Sequence, residues 1–124
     1  MTDVSPHFDF VPYRRELVGR LAPVLDTGLE KEDLVTYMFS CPVILSTRIM
    51  TPDEVDPSRD PIPLIFFTDG TWIWNAEVAE YVKRYDMGVP SEFIKHVVRQ
   101  NAVVPSVRDD LREEASRHVR GASQ

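Results

Sequence analysis

Three histidines, one cysteine and twenty carboxylates are the side chains with which this 124-residue chain could do acid–base, nucleophilic or metal chemistry. His7, His96 and His118 share no short spacing with another His, Cys or carboxylate that makes a known metal signature, and zinc needs three or four such ligands. His96 stands one residue before apolar Val97 on a short stretch of helical period, which reads as a surface or partly packed histidine. Cys41 lies before a proline, at a helix-to-strand junction in an apolar context, and reads as a small buried hydrophobe rather than a nucleophile. Being single, it excludes an internal disulfide and suits a reducing compartment. Asp53, Glu54, Asp56 and Asp60 crowd one loop, which raises the question of calcium. A calcium loop wants oxygen ligands at positions one, three and five and glycine at six. Counted from Asp53, the third position is Val55 and the sixth Ser58, so the pattern fails. The loop then reads as a solvated acidic segment with Arg59 as internal partner, or as a docking patch for basic groups. The glycines at 19, 28, 70, 88 and 121 are unclustered, which leaves no phosphate cradle, and no serine sits in a Gly-x-Ser-x-Gly elbow. No catalytic, cofactor-binding or metal residue is assigned, and an enzyme is unsupported.

The formal net charge is −6 and the isoelectric point about 5.0. Generic binding to nucleic acid or to an anionic membrane surface needs a basic face, so neither is expected. An acidic domain suits a basic protein partner, although a charge of this size also serves solubility alone. No stretch approaches the ~20 apolar residues of a membrane span, and the first residues carry no basic-then-apolar pattern of a secretory signal. A cytoplasmic location is the expectation.

The acidic loop is followed by the stretch around which the chain is organised. Pro63-Leu64-Ile65-Phe66-Phe67-Thr68 and Thr71-Trp72-Ile73-Trp74-Asn75 flank Asp69-Gly70, the strongest short signal for a two-residue hairpin turn. Such a turn makes Thr68 face Thr71, Phe67 face Trp72 and Phe66 face Ile73. One face then carries Ile65, Phe67, Trp72 and Trp74, and the other Leu64, Phe66 and Ile73. A hairpin apolar on both faces needs two covers. Helices on both sides would supply them, as would helices on one side and a partner chain or ligand on the other.

The remaining elements follow from period and punctuation. Pro12 opens a helix with Tyr13, Leu17, Val18 and Leu21 on its apolar stripe, and Pro23 with Thr27-Gly28 ends it. A second helix is expected over 29–39, with Leu34, Tyr37 and Met38 buried and Glu30, Glu32 and Asp33 near its positive end. Residues 42–50 read as a strand and 51–61 as a loop with three prolines. Asn75 caps a third helix bearing Val78, Tyr81, Val82 and Tyr85, with Gly88 as its left-handed end. Ser91 caps a fourth with Phe93, Ile94, Val97 and Val98, bounded by Asn101 and Pro105. Ser106 starts a fifth with Val107, Leu111, Ala115 and Val119 inward. The order α-α-β-β-β-α-α-α is that of one α+β domain over 1–124, with a small antiparallel sheet of about three strands and irregular or frayed ends at 1–11 and 121–124.

The segment Arg59-Asp60-Pro61, Phe67-Thr68-Asp69-Gly70-Thr71-Trp72-Ile73-Trp74, Tyr81 and Pro90-Ser91-Glu92-Phe93-Ile94-Lys95-His96 resembles a family of small bacterial proteins. They share a Thr-Asp-Gly-x-Trp-x-Trp hairpin followed by two helices, usually have no named activity, and include some similar to the immunity proteins encoded beside polymorphic toxins. The likeness covers residues 42–99. Its motif makes a fold rather than an active site, so it implies a non-enzymatic, protein-binding role and carries over no catalytic residue. On that expectation the chain holds a basic toxin or effector domain by occlusion. Asp53, Glu54, Asp56 and Asp60 would steer it, with Asp69 at the hairpin tip and Trp72 or Trp74 as anchor. Two other readings stand beside it. One is a small-molecule or enzymatic pocket lined by Trp72, Trp74, Tyr81 and Tyr85. The other is a homodimeric adaptor that buries the spare hairpin face against itself.

Overall fold

In the computed structural model, which describes residues 7–22 and 28–122, the elements run β1 (Asp9–Phe10), a 3-10 turn (Arg15–Leu17), α1 (Lys31–Ser40), β2 (Val43–Thr51), β3 (Ile62–Thr68), β4 (Trp72–Asn75), α2 (Ala76–Tyr85), α3 (Ser91–Arg99) and α4 (Asp109–Ala122). The class is α+β, as expected. The sheet has four strands in the order β1-β4-β3-β2, antiparallel except for β1, which runs parallel to β4. The extra strand is two residues long, within the stretch expected to be irregular, and has no period of its own to announce it.

The hairpin forms with a register two residues away from expectation. Phe67 pairs with Trp74 and Thr68 with Ile73, so the loop is longer than Asp69-Gly70. Side chains close it. Asp69 Oδ1 accepts the backbone N–H groups of Thr71 (2.9 Å) and Trp72 (2.7 Å). Thr68 Oγ1 donates to the Trp72 carbonyl (2.8 Å) and accepts the Gly70 N–H (3.0 Å). Asx and hydroxyl turns of this kind compete with the tight two-residue turn. A slip of two leaves the side-chain alternation intact. Ile65, Phe67, Trp72 and Trp74 therefore still share one face. They pack on Leu34, Tyr37 and Met38 of α1, Val78, Tyr81 and Val82 of α2, and Phe93, Ile94 and Val97 of α3. Phe66 and Ile73 lie on the other, covered by Leu111, Ala115 and Val119 of α4 together with Phe8 and Ile44. Helices thus lie against both faces, with Leu64, Ile65 and Phe66 left partly exposed.

Elsewhere local signals met tertiary ones. The helix expected from Pro12 shortens to the 3-10 turn, because among the described residues the strap's own bonds are limited to Leu17 N–H to Arg14 O, Val18 N–H to Arg15 O and Arg20 N–H to Leu17 O, and others reach the end of α2. Gly19 N–H goes to Tyr85 O, Leu21 N–H to Asp86 O and Gly88 N–H to Leu17 O. Its expected stop at Pro23 and Thr27 lies outside the described residues. Asp86, not Gly88, is the left-handed end of α2 (φ 52°). At Gly88 a Cβ would stand 3.1 Å from the Arg20 carbonyl oxygen, so the glycine serves close approach of the strap 12–22. Asn75 caps α2 as expected, its Oδ1 accepting Val78 N–H at 2.9 Å. Ser91 is the first residue of α3 rather than its cap, a place taken by Pro90, and α4 starts at Asp109 instead of Ser106. No helix among the described residues is long and apolar enough to cross a membrane.

Gly70 sits at φ 96°, and a Cβ there would meet Leu111 Cδ2 at an ordinary 3.5 Å. Gly70→Val is therefore expected to cost about 1–3 kcal/mol through backbone strain alone. An unchanged urea midpoint would show that the loop tolerates an L side chain. In the same assay Asn75→Ala is expected to lose about 1 kcal/mol with its cap. A neutral result would mean that water replaces Asn75 Oδ1 without loss.

Candidate functional site

Two buried carboxylates, one before β3 and one just after it, organise the loops at its two ends. Asp53 is wholly buried. Its Oδ1 accepts the backbone N–H groups of Val55 and Asp56, each at 2.9 Å. Its Oδ2 accepts the Tyr85 hydroxyl at 2.6 Å and Arg84 Nη1 at 2.9 Å. Arg84 also bridges Glu80 and the Asp60 carbonyl, so α2 grips the loop at both ends. Tyr81 Oη accepts Glu54 N–H at 2.9 Å. Arg59 lies over the Tyr85 ring, 5.8 Å from its centroid. Loop 52–61 lacks secondary structure, yet it is fastened along its length.

Asp69 repeats the arrangement. Beyond the two N–H groups of its own loop, its Oδ2 accepts the Tyr37 hydroxyl of α1 at 2.6 Å and lies 3.0 Å from His96 Nε2 of α3. The Gln100 side-chain amide stands 2.6 Å from the same imidazole nitrogen. Burial, reinforced by the bond to Asp69, pushes the Tyr37 hydroxyl far above the ordinary tyrosine range. Burial also pushes the neighbouring Cys41 thiol up to about 12, with the Asp69 charge adding to it. Cys41 is thus a protonated, buried thiol at neutral pH.

These bonds decide which expected site residues can face a partner. Asp53 and Asp69 are turned inward, because each is the hydrogen-bond acceptor that closes its own loop. Trp72 and Trp74 are buried too. The Trp74 ring stacks on Tyr37 and Phe67, and its Nε1–H donates to the Met38 carbonyl at 2.9 Å. Neither tryptophan is a surface anchor. Tyr81 is fully buried in the same core, so these aromatic side chains fill space rather than line a cleft. The surface clefts, of about 220, 250 and 320 Å³, are bounded by other residues, such as Asp33 with Asn101 and Lys31 with Lys83. Glu54 and Asp60 are exposed and Asp56 is partly so. Among the described residues no Lys or Arg forms an ion pair with any of the three. Burial raises the Glu77 carboxyl, and the charges of Glu54 and Asp53 raise it further, a sign of the negative field here. No group of three metal-ligating side chains gathers among the described residues.

Sequence reasoning missed three features. His96 pairs with Asp69 across 27 residues of chain, which no local pattern shows. The partner of Asp53 is Arg84, again distant, rather than Arg59. Ile49 and Met50, at the end of β2 beside the acidic loop, are exposed at 57% and 52%. Comparison with known protein families, with curated proteins and with solved structures gives no match to this chain.

Burial alone would raise the Asp53 carboxyl. The bonds from Tyr85, Asp56 N–H, Arg84 and Val55 N–H outweigh it and bring the pKa down to about 2. A folded value below the unfolded one, about 3.9, gives stability that is complete above roughly pH 4 and lost as pH falls through the folded value. Asp53→Asn is expected to lose about 2 kcal/mol at pH 7 and to fall less steeply between pH 4 and 2 than the unaltered chain. Urea midpoints across that window check it. Parallel acid limbs would show that Asp53 does not carry the acid dependence.

Proposed function

We propose that this chain is a non-enzymatic protein-binding domain of the immunity or antitoxin kind, which neutralises a basic toxin or effector domain by occluding it. One observation carries the reading. An acidic loop is locked in place by a buried carboxylate and two tyrosines, while its own Glu54, Asp56 and Asp60 form no ion pair with a Lys or Arg among the described residues. A loop fixed in advance loses little conformational entropy on binding. Its charge steers a basic partner and raises the association rate. Ile49 and Met50 stand immediately before the loop and take the anchoring role first assigned to Trp72 and Trp74. Apolar residues ringed by charge are the usual anatomy of a binding patch. The hairpin motif supports the reading through its resemblance to immunity-like proteins.

Size exclusion with light scattering tests it, first on the protein alone and then after mixing with the products of neighbouring genes. A stable heterocomplex is expected, with an association rate that falls as salt rises. Glu54→Lys with Asp60→Lys is expected to slow association about tenfold or more while changing dissociation less, because both residues act at long range. No complex with any neighbouring product would overturn the reading.

A further inference from the structure

We propose that the outer edge of β2 takes an extended, basic segment of the partner as a fifth strand, with the segment's lysines or arginines against Glu54, Asp56 and Asp60. This rests on the protein-binding reading above and states how such a partner is held.

The sheet ends at β2, whose outer side pairs with no strand among the described residues. At nine residues it is the longest strand, roughly 30 Å of backbone. An open edge presents N–H and C=O groups to any extended chain, and proteins usually guard it with lysines, prolines, short length or bulges. β2 has one charge, Arg48, no proline, and exposed Val43, Ile49 and Met50. Its guards are two pairing irregularities, one between Val43 and Leu45 and one between the pairs Ser46↔Ile65 and Met50↔Pro63. There Thr47 Oγ1 donates to the Leu64 carbonyl and accepts the Ile49 N–H at 3.1 Å. That occupies one donor and leaves 43–46 and 50–51 on either side. The opposite edge, β1, is only two residues long and offers far less.

Charge selects the occupant. A second copy would bring another net −6. In antiparallel pairing, each copy's acidic loop would lie beside the start of the other β2, where residues 39–45 hold no Lys or Arg. In parallel pairing, loop would meet loop. Neither gives a counter-charge, and like charges in apposition are repulsive. A basic extended segment satisfies both features at once. Its backbone completes the ladder, while its cations neutralise carboxylates that form no ion pair with a Lys or Arg among the described residues, Asp56 being held only by the Ser58 N–H and hydroxyl.

The test pans a displayed library of random peptides on the intact protein at low salt, then maps amide hydrogen exchange with an enriched peptide bound. Expected are peptides alternating β-branched or apolar residues with Lys or Arg gathered at one end, and new protection at 43–46 and 50–51. Ile49→Lys with Met50→Lys, both at exposed positions, should weaken binding about tenfold or more without unfolding the domain. No enrichment, enrichment without basic residues, or protection confined to the cleft at Lys31, Val35 and Lys83 would overturn the proposal. So would a concentration-dependent dimer that protects β2. The two readings fail separately. A heterocomplex whose β2 amides exchange as in the free protein removes strand addition and keeps protein binding. Peptides seated on β2, with no neighbouring product binding, remove the immunity role and keep the edge.

Discussion

A hairpin that is apolar on both faces cannot be half covered. Trp74 and Ile73 are adjacent in β4, point to opposite sides, and are exposed at only 1% and 0%. Each side must therefore receive a layer, and the chain provides them from different places. Helices α1, α2 and α3 close the tryptophan side, while α4 crosses to the isoleucine side. Each fully buried apolar side chain is worth roughly 1.5–3 kcal/mol, so exposing either face would remove more than a domain of this size has in reserve. The two-residue slip in the hairpin is tolerated because it keeps every side chain on its face. A slip of one would exchange the two cores.

The ends of β3 are fixed by a device used twice. At each end an aspartate takes two backbone N–H groups on one oxygen and a helix-borne tyrosine hydroxyl on the other, both hydroxyls at 2.6 Å. The fourth partner differs. Asp53 meets Arg84, which stays charged at any accessible pH. Asp69 meets His96 on α3, packed under the hairpin. A buried carboxylate is costly unless its lone pairs are filled, and here they are, with the fourth bond coming from a remote helix. Local turn and long-range packing are thereby made one cooperative unit. Loop 52–61, rich in proline and acids, is held as firmly as an element of secondary structure.

The features legible in the sequence were those set by neighbours along the chain. Strand alternation in 63–75, the helical stripe of α2 and the Asn75 cap all depend on residues a few positions apart, and all are present. The face assignment of the hairpin survived even with its register displaced, because alternation is local whereas turn length was decided by the Thr68 and Asp69 side chains. The 12–22 strap was misread because its amphipathic period is real but its hydrogen bonds go to the end of α2. β1 was invisible, since a two-residue strand has no period. Within the site, the acidic loop was plain from composition. Which of its acids faced outward was not, because the burial of Asp53 depends on Arg84 and Tyr85, some thirty residues away. Residue type offers Trp72 and Trp74 as partner anchors, with core the commoner fate of such side chains, and packing on three helices makes them core.

The two ends of β3 also differ in what surrounds them, and the proposed binding surface rests on that difference. Around Gly70 the nearest side chains are Val107 and Leu111, ahead of and within α4, so that end is roofed by the protein's own chain. Around the acidic loop Arg84 is committed inward to Asp53 and Glu80, Arg15 reaches the Glu54 carbonyl, and exposed Arg59 lies over the Tyr85 ring. Elsewhere on the surface acids tend to have partners, as in Lys31–Asp86, Lys95–Glu92 and Arg117 with Glu113 and Glu114. Carboxylates gathered on a fixed loop with no ion pair among the described residues repel one another, a repulsion solvent screens but does not remove. On the proposed reading a basic partner would relieve it, and binding would then stabilise the folded domain by mass action as well as by contact. That is why the proposal puts the second chain at this loop and at the β2 edge beside it, rather than at the roofed end near Gly70.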